Sequence, residues 1–308
     1  MEGLRALGRT GLKVSALTLG TSYLGNPAQK DGSPGPGASD LASHMLAGPF
    51  AAIDTSNNYA GGRSETALGL AIAEHGLPAG KLVFTKADAD PETGRLDRDR
   101  VWRSFEESTG RLGLDHVPLF HLHDPFHYVT FEEAFAASGA VQGLRELKEQ
   151  GLVGSIGIAA GETTLMRRYI NTGMFDAVVT HNRYTIVDAR AEELLNEAAD
   201  RGMGVFNAAP FGGGLLAGHG SRYAYRESPP GLLAWLERVH RLCRRWMLDL
   251  PTVALQFSLS SQLIHSTIVG ISNAHRMHQL QDMVQTSVPE DFWSELRQLG
   301  TPPSTLAD

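Results

Sequence analysis

One cysteine, Cys243, stands in 308 residues. No internal disulfide can form, and metal sites built from several cysteines are excluded. No apolar run approaches the roughly 18 residues that a membrane span requires. The opening Met1-Glu2-Gly3-Leu4-Arg5 lacks the basic stretch and apolar run of a secretory signal. Positive charge is in short supply too: 27 Lys and Arg against 34 Asp and Glu give a net charge of −7. That balance argues against a surface for nucleic acid phosphates or anionic lipid. Charged residues at 20% and hydrophobic ones at 42% are too apolar a mixture for disorder. What remains is a soluble, cytoplasmic protein of a reducing compartment, with no nucleic acid and no membrane among its partners.

What is present is alternation. Strand-like runs are expected at 17–20, 51–54, 82–85, 117–122, 152–158, 175–179, 203–208 and 266–269. Amphipathic helical patterns separate them at 39–47, 64–74, 97–113, 139–150, 163–172, 189–201 and 231–247, with a further helix opened by Pro251 and a last one at 273–285. The Pro- and Gly-rich stretches 31–37 and 209–220 read as loops. Eight strands alternating with helices, with no break in composition, predict parallel pairing and a (β/α)8 TIM barrel. A doubly wound sheet is the competing architecture, but its G-x-G-x-x-G signature does not match Gly20-Thr21-Ser22-Tyr23-Leu24-Gly25. The chain is read as one barrel domain over 1–308, with an N-terminal hairpin at about 4–15 closing the floor.

Side chains just beyond the strands of such a barrel gather at one mouth. Asp54, Tyr59, Lys86 and His123 follow the second, third and fourth strands, which are neighbours. Each alone has a plain reading: a turn cap for Asp54, a solvated lysine, a packing tyrosine, and a core role for His121 or His123, which share a strand face. Arriving together, a carboxylate, a phenol, an ammonium and an imidazole form a proton-transfer set. Lys86 beside Tyr59 is expected to draw the phenol below its usual value near 10, with Asp54 keeping the lysine charged. His123 would hydrogen-bond a substrate oxygen. Asp88 and Asp90 are read as solvated loop charges.

The stretches IDTSNNYAGGRSETALG (53–69), VFTKAD (83–88), LFHLHDP (119–125), NAAPFGGGLLAG (207–218) and TIVGISNAHRMHQ (267–279) resemble the aldo-keto reductase family over nearly the whole chain. The loops at 182–188 and 207–214 look most like its aldose 1-dehydrogenase branch, with pyridoxal dehydrogenase nearby. The resemblance implies Tyr59 as general acid/base, Lys86 and Asp54 as its tuners, and His123 as substrate orienter. It implies NAD or NADP, undecided, lying across the mouth, and a hydride passed to or from a sugar C1 hydroxyl carbon or a small aldehyde or ketone. The partner is thus a small molecule; a homo-oligomer is left open.

Cofactor contacts are expected from Gly20, Thr21 and Asp54 on one side. The loop carrying Pro210, Phe211, Gly212, Gly214 and Leu215 offers backbone N–H groups to a pyrophosphate; a flexible surface loop is its bland alternative. Beyond the last strand, Gly270 and Ser272 lead into a helix with Arg276 and Gln279, where a helix N-terminus and a guanidinium suit a phosphate or an adenine. Gly270 stands where many members carry a lysine, Ala159-Ala160 where Ser or Asn would hold the carboxamide, and Ala208 where a tyrosine would stack. His181 or Asn182 is expected to take over the carboxamide. Two rival readings are a Lys86 Schiff-base aldolase and a cofactor-binding barrel with little turnover.

Overall fold

The computed structural model describes residues 3–303; Met1 and Glu2, which open the stretch read for a targeting signal, lie outside them. Eight parallel strands close a barrel: β1 (Leu17–Gly20), β2 (Ala52–Asp54), β3 (Leu82–Ala87), β4 (Val117–His123), β5 (Val153–Ala160), β6 (Ala177–His181), β7 (Gly204–Ala208) and β8 (Ser266–Gly270). The ring closes because β8 pairs with both β7 and β1. The (β/α)8 expectation holds strand for strand.

Helices on the outside supply the crossovers that parallel strands need. They are α1 (Ala38–Ala47), α2 (Arg63–His75), α3 (Arg98–Leu112), α4 (Ala140–Glu149), α5 (Thr163–Asn171), α6 (Glu192–Asp200), α7 (Pro230–Arg245), α8 (Leu250–Leu259), α9 (Ala274–Gln285) and α10 (Glu290–Gln298). Local chemistry sets their ends. Asp97 accepts from the Arg100 N–H at 2.9 Å to open α3, and Gly113, at φ 67°, closes it in the left-handed region. No helix among the described residues is long and apolar enough to cross a membrane.

Covered on both faces, the strands read as near-continuous apolar runs. Outward residues such as Leu17, Leu19 and Val83 pack under the helices. Inward ones, among them Ala52, Phe84, Leu119, Phe206 and Ile268, fill the barrel. An antiparallel pair, Arg5–Ala6 with Lys13–Val14, lies at the other end from the mouth, and Leu7 and Val14 join that inner cluster. Along β4, Leu119, His121 and His123 share one face, so the period of two carries His123 up to the mouth. His121 stays buried below it, edge-on to Phe206.

Three features depart from the sequence reading. Residues up to Ala191 are held out of α6 by a turn in which Thr185 N–H donates to the Asp188 carbonyl at 2.7 Å. The glycine-rich loop contains a 3-10 segment, Gly212–Ala217, and a small hairpin follows it, Arg222–Tyr223 with Arg226–Glu227. Helix α10, with Phe292 and Leu296 buried, was not expected, because its apolar stripe is only a few residues long.

Candidate active site

The barrel brings Asp54, Tyr59, Lys86 and His123 to one place at the C-terminal ends of β2, β3 and β4. Lys86 Nζ lies 2.7 Å from Asp54 Oδ1 and donates to the Thr55 carbonyl at 2.6 Å and to the Tyr59 hydroxyl at 3.2 Å. Asp54 and Lys86 are only 3% and 2% exposed. The His123 ring stands edge-on to Tyr59, centroids 5.8 Å apart.

The position of Tyr59 is determined from behind by α3. Asn57 Nδ2 is shared among the Ser104 carbonyl, Glu107 Oε2 and Ser108 Oγ, and its Oδ1 accepts from Arg100 Nη2 at 2.8 Å. Arg111 Nη1 donates to the Asn57 carbonyl at 2.8 Å. The chain then turns through left-handed Ala60, Gly61 and Gly62 into α2. At Gly62, whose φ of 83° already disfavours a side chain, a Cβ would sit 2.5 Å from Arg111 Cζ and push that guanidinium aside.

Electrostatics correct one expectation. Burial raises the Tyr59 phenol to about 12, outweighing the nearby Lys86 charge that lowers it. A neighbouring cation is legible in the residues themselves; the depth of burial that outweighs it is not. Burial by itself would lower Lys86; the Asp54 carboxylate and Tyr59 more than reverse that, so the lysine titrates above its ordinary value.

A second correction concerns Asp88, which is buried rather than solvated, at 7% exposure. Its Oδ1 lies 2.7 Å from His123 Nδ1, while its Oδ2 accepts from Ser56 Oγ and, at 3.0 Å, from the Asn58 N–H. The available signal was spacing: two residues past Lys86, Asp88 continues the same strand face. Burial pushes this carboxyl up, but the charge and hydrogen bond of His123 pull it below its usual range. Asp90, read as a solvated loop charge, is a half-buried turn residue whose Oδ1 takes the Glu92 and Thr93 N–H groups.

Asp124 was also missed. Its Oδ2 is 3.6 Å from His123 Nε2 and its Oδ1 3.6 Å from His181 Nε2. Burial raises it, yet the facing His181 and His123 bring it down to about 2. Asp124 has a left-handed φ of 41°, and Ala60, Asn182 and Ala209 share that region at 53°, 59° and 56°. Four non-glycine residues of this kind, in loops that leave the barrel strands, ring the mouth.

The expected cofactor residues divide between the rim and the interior. His181 ends β6, and Gly161 leaves room for it, a Cβ there lying 2.7 Å from its Cε1. Asn182 Nδ2 sits 3.1 Å from His181 Nδ1, and its buried Oδ1 has no partner among the described residues. Ala159 and Ala160 are buried and supply no polar group, and Ala208 is half-buried. Gly212 and Gly214 lie in the left-handed loop after β7, with Pro210 beneath. Leu215 turns its side chain into the core around Leu232 and Trp235, leaving only its backbone for a ligand. Arg276 Cζ lies 5.0 Å over the Phe211 ring and its Nη1 donates to Gln279 Oε1 at 3.3 Å. Asn273 caps α9 by accepting from the Arg276 N–H at 2.9 Å, beside exposed Ser272. Gly270 is exposed, whereas Thr21 is buried with its hydroxyl spent on the Asp54 carbonyl at 3.2 Å. Gly20 pairs with both Asp54 and Gly270 across the ladder.

A model of the Aldo/keto reductase family matches residues 16–301. Pyridoxal 4-dehydrogenase of Microbacterium luteolum is 29% identical, over 96% of this chain and 97% of its own. D-threo-aldose 1-dehydrogenase of a Pseudomonas species is 29% identical, over 94% and 95%. An aldo-keto reductase of Bacillus halodurans, solved in its holo form, has the same fold, with a TM-score of 0.78 at 21% identity over 98% of this chain and 97% of that one.

Proposed function

Starting from the fact that the chain belongs to the aldo/keto reductase family of NAD(P)-dependent oxidoreductases, we propose that Tyr59 moves the proton in hydride exchange with a sugar C1 hydroxyl or a small aldehyde or ketone. The observation that carries this reading is the Lys86 ammonium, held by Asp54, with the hydroxyl of half-buried Tyr59 3.2 Å away and the His123 ring at its edge.

The residues present fit a dinucleotide. The unpartnered Asn182 amide oxygen is an acceptor for a carboxamide, which Ala159 and Ala160 cannot contact through polar groups. The glycine backbone after β7 suits a pyrophosphate, and Arg276 with Phe211 suits an adenosine end. A bound nicotinamide would supply or accept the hydride at its C4.

The rest falls to side chains. With its pKa near 12, Tyr59 carries its proton at neutral pH and acts as an acid toward the oxygen of a substrate being reduced. Lys86 stabilises the phenolate left behind, and Asp54 keeps that lysine charged and fixed. In the reverse direction the phenolate takes a hydroxyl proton. His123 orients the reacting oxygen. Oxidation of a hydroxyl substrate is favoured as the physiological direction by the likeness to the aldose and pyridoxal dehydrogenases, the first of which names a sugar. A Schiff base on Lys86 is disfavoured, because a lysine buried against a carboxylate keeps its proton and lacks the lone pair for attack.

The test is a spectrophotometric panel of aldoses, pyridoxal-like alcohols and aldehydes with NAD and NADP in both directions, repeated with Tyr59→Phe. Turnover should fall by about 10²–10⁴ in the variant, the range of general acid–base contributions, with dinucleotide binding retained by fluorescence titration. Full turnover without the phenol would remove the mechanism.

A further inference from the structure

We propose that Asp88 is a positioning residue that dictates the tautomer of His123, so that this imidazole donates to a carbonyl oxygen only as a cation and accepts from a hydroxyl when neutral. The inference rests on the functional reading above, in which His123 meets the reacting oxygen.

The geometry admits one arrangement of protons. A carboxylate has only acceptors to offer, and Asp88 Oδ1 lies 2.7 Å from His123 Nδ1. The proton therefore sits on Nδ1. Ser56 Oγ, 3.1 Å from Nδ1, donates to Asp88 Oδ2 and so turns a lone pair toward the same proton. Once Nδ1 carries a proton, the neutral ring has a bare lone pair at Nε2, the end facing the mouth. Such a nitrogen accepts from an alcohol but repels a carbonyl oxygen. A second proton converts Nε2 into a donor, the form that polarises a carbonyl.

The surroundings favour the cation at moderate pH. Asp88 faces Nδ1, and Asp124 lies 3.6 Å from Nε2, where a neutral nitrogen's lone pair would confront a carboxylate. Against them stands the Lys86 ammonium; the buried His121 below is kept neutral by its burial, Tyr59 is neutral at its edge, and His181 lies beyond Asp124. Burial alone would lower the His123 pKa, but the Asp88 charge and hydrogen bond more than offset it, and it lies above the ordinary histidine value. Carbonyl substrates are thus bound for reaction below that pKa and hydroxyl substrates above it, in addition to whatever Tyr59 requires.

The isosteric change Asp88→Asn reverses the device. The Asn58 N–H, 3.0 Å from Asp88 Oδ2, requires an acceptor there. The new amide oxygen takes that place and turns its NH2 toward Nδ1, which must then be the acceptor; the neutral ring becomes Nε2–H, a donor without a second proton. Long-range 1H–15N NMR of the histidine side chains in the full chain reads the tautomer without any turnover. The expected result is Nδ1–H in the wild type above its pKa and Nε2–H in Asp88→Asn. In parallel, kcat/KM for a carbonyl substrate should fall about tenfold per pH unit above the His123 pKa in the wild type, and this fall should be absent in the variant. An Nε2–H wild-type ring overturns the proposal even if the variant does not fold, and so does an unchanged pH profile in a folded Asp88→Asn. Absence of any NAD(P)-linked turnover would instead strike the functional reading, leaving the tautomer measurement to stand separately.

Discussion

The two sides of the mouth are built on different principles. Between β2 and β4 every reactive side chain is tied to another: Lys86 to Asp54, Thr55 and Tyr59, His123 to Asp88, Asp88 to Ser56 and Asn58. Between β7 and β8 the chain offers mostly backbone, in left-handed Ala209, Gly212, Gly213 and Gly214, with Arg276 over Phe211 as its main side-chain contact. On the proposed reading these groups transfer a proton, which tolerates little misplacement, and mutual hydrogen bonds lock them accordingly. Holding an extended anion asks for several N–H groups at close approach, which only small residues permit. The contrast predicts that substitutions on the first side change rate, while those on the second change affinity.

The largest test is Lys86→Met. It leaves Asp54 buried without its cation, so stability should fall by about 3–5 kcal/mol in urea unfolding, and turnover should drop by roughly 10³. Retained turnover would break the claim that this side carries the rate. Next is Asn57→Ala, which touches no reacting atom but frees the Tyr59 loop from Arg100, Glu107 and Ser108. A loss of about 10²-fold in kcat with an unchanged dinucleotide Kd would sharpen the comparison; a shift in Kd alone would undo it. The pH profile comes third. Because the Tyr59 pKa is raised to about 12, its phenolate fraction grows about tenfold per pH unit below that value. Oxidation, which needs the phenolate, should rise with pH accordingly, while Tyr59 itself imposes no loss on reduction over that range. A plateau of the oxidative rate near neutrality would contradict the raised value. The smallest effect belongs to Gly212→Ala. Its Cβ would fall 2.3 Å from Tyr223 Cε2 at a φ of 58°, so the dinucleotide Kd should rise severalfold, to about tenfold, with kcat at saturation near wild type.

The same contrast governs what could be read without coordinates. Barrel strands were legible because doubly covered strands are apolar runs and their helices are amphipathic and end in glycines such as Gly113 and Gly151. Asp54, Tyr59, Lys86 and His123 were legible because side-chain identity is written in the residue and strand ends fix position. Depth was not. Asp88 looked like any loop aspartate, and the sign of the Tyr59 shift depends on how much protein lies over the phenol. Asp124 escaped because its partner His181 is 57 residues away, on another strand. The β7–β8 side was the least legible, since its character lies in backbone dihedrals that a run of glycines leaves free. That Leu215 faces the core and Thr21 turns inward could not be told from composition.

Ala60, Asp124, Asn182 and Ala209 hold backbone angles that cost a residue with a side chain about 1 kcal/mol or more each. The rim is therefore under tension, kept in shape by the closed cylinder below. Glycine at Ala209 would relax that tension and raise thermal tolerance, yet it would loosen the edge to which the proposed reading assigns ligand binding. An enzyme improved for durability at these positions should be slower for it.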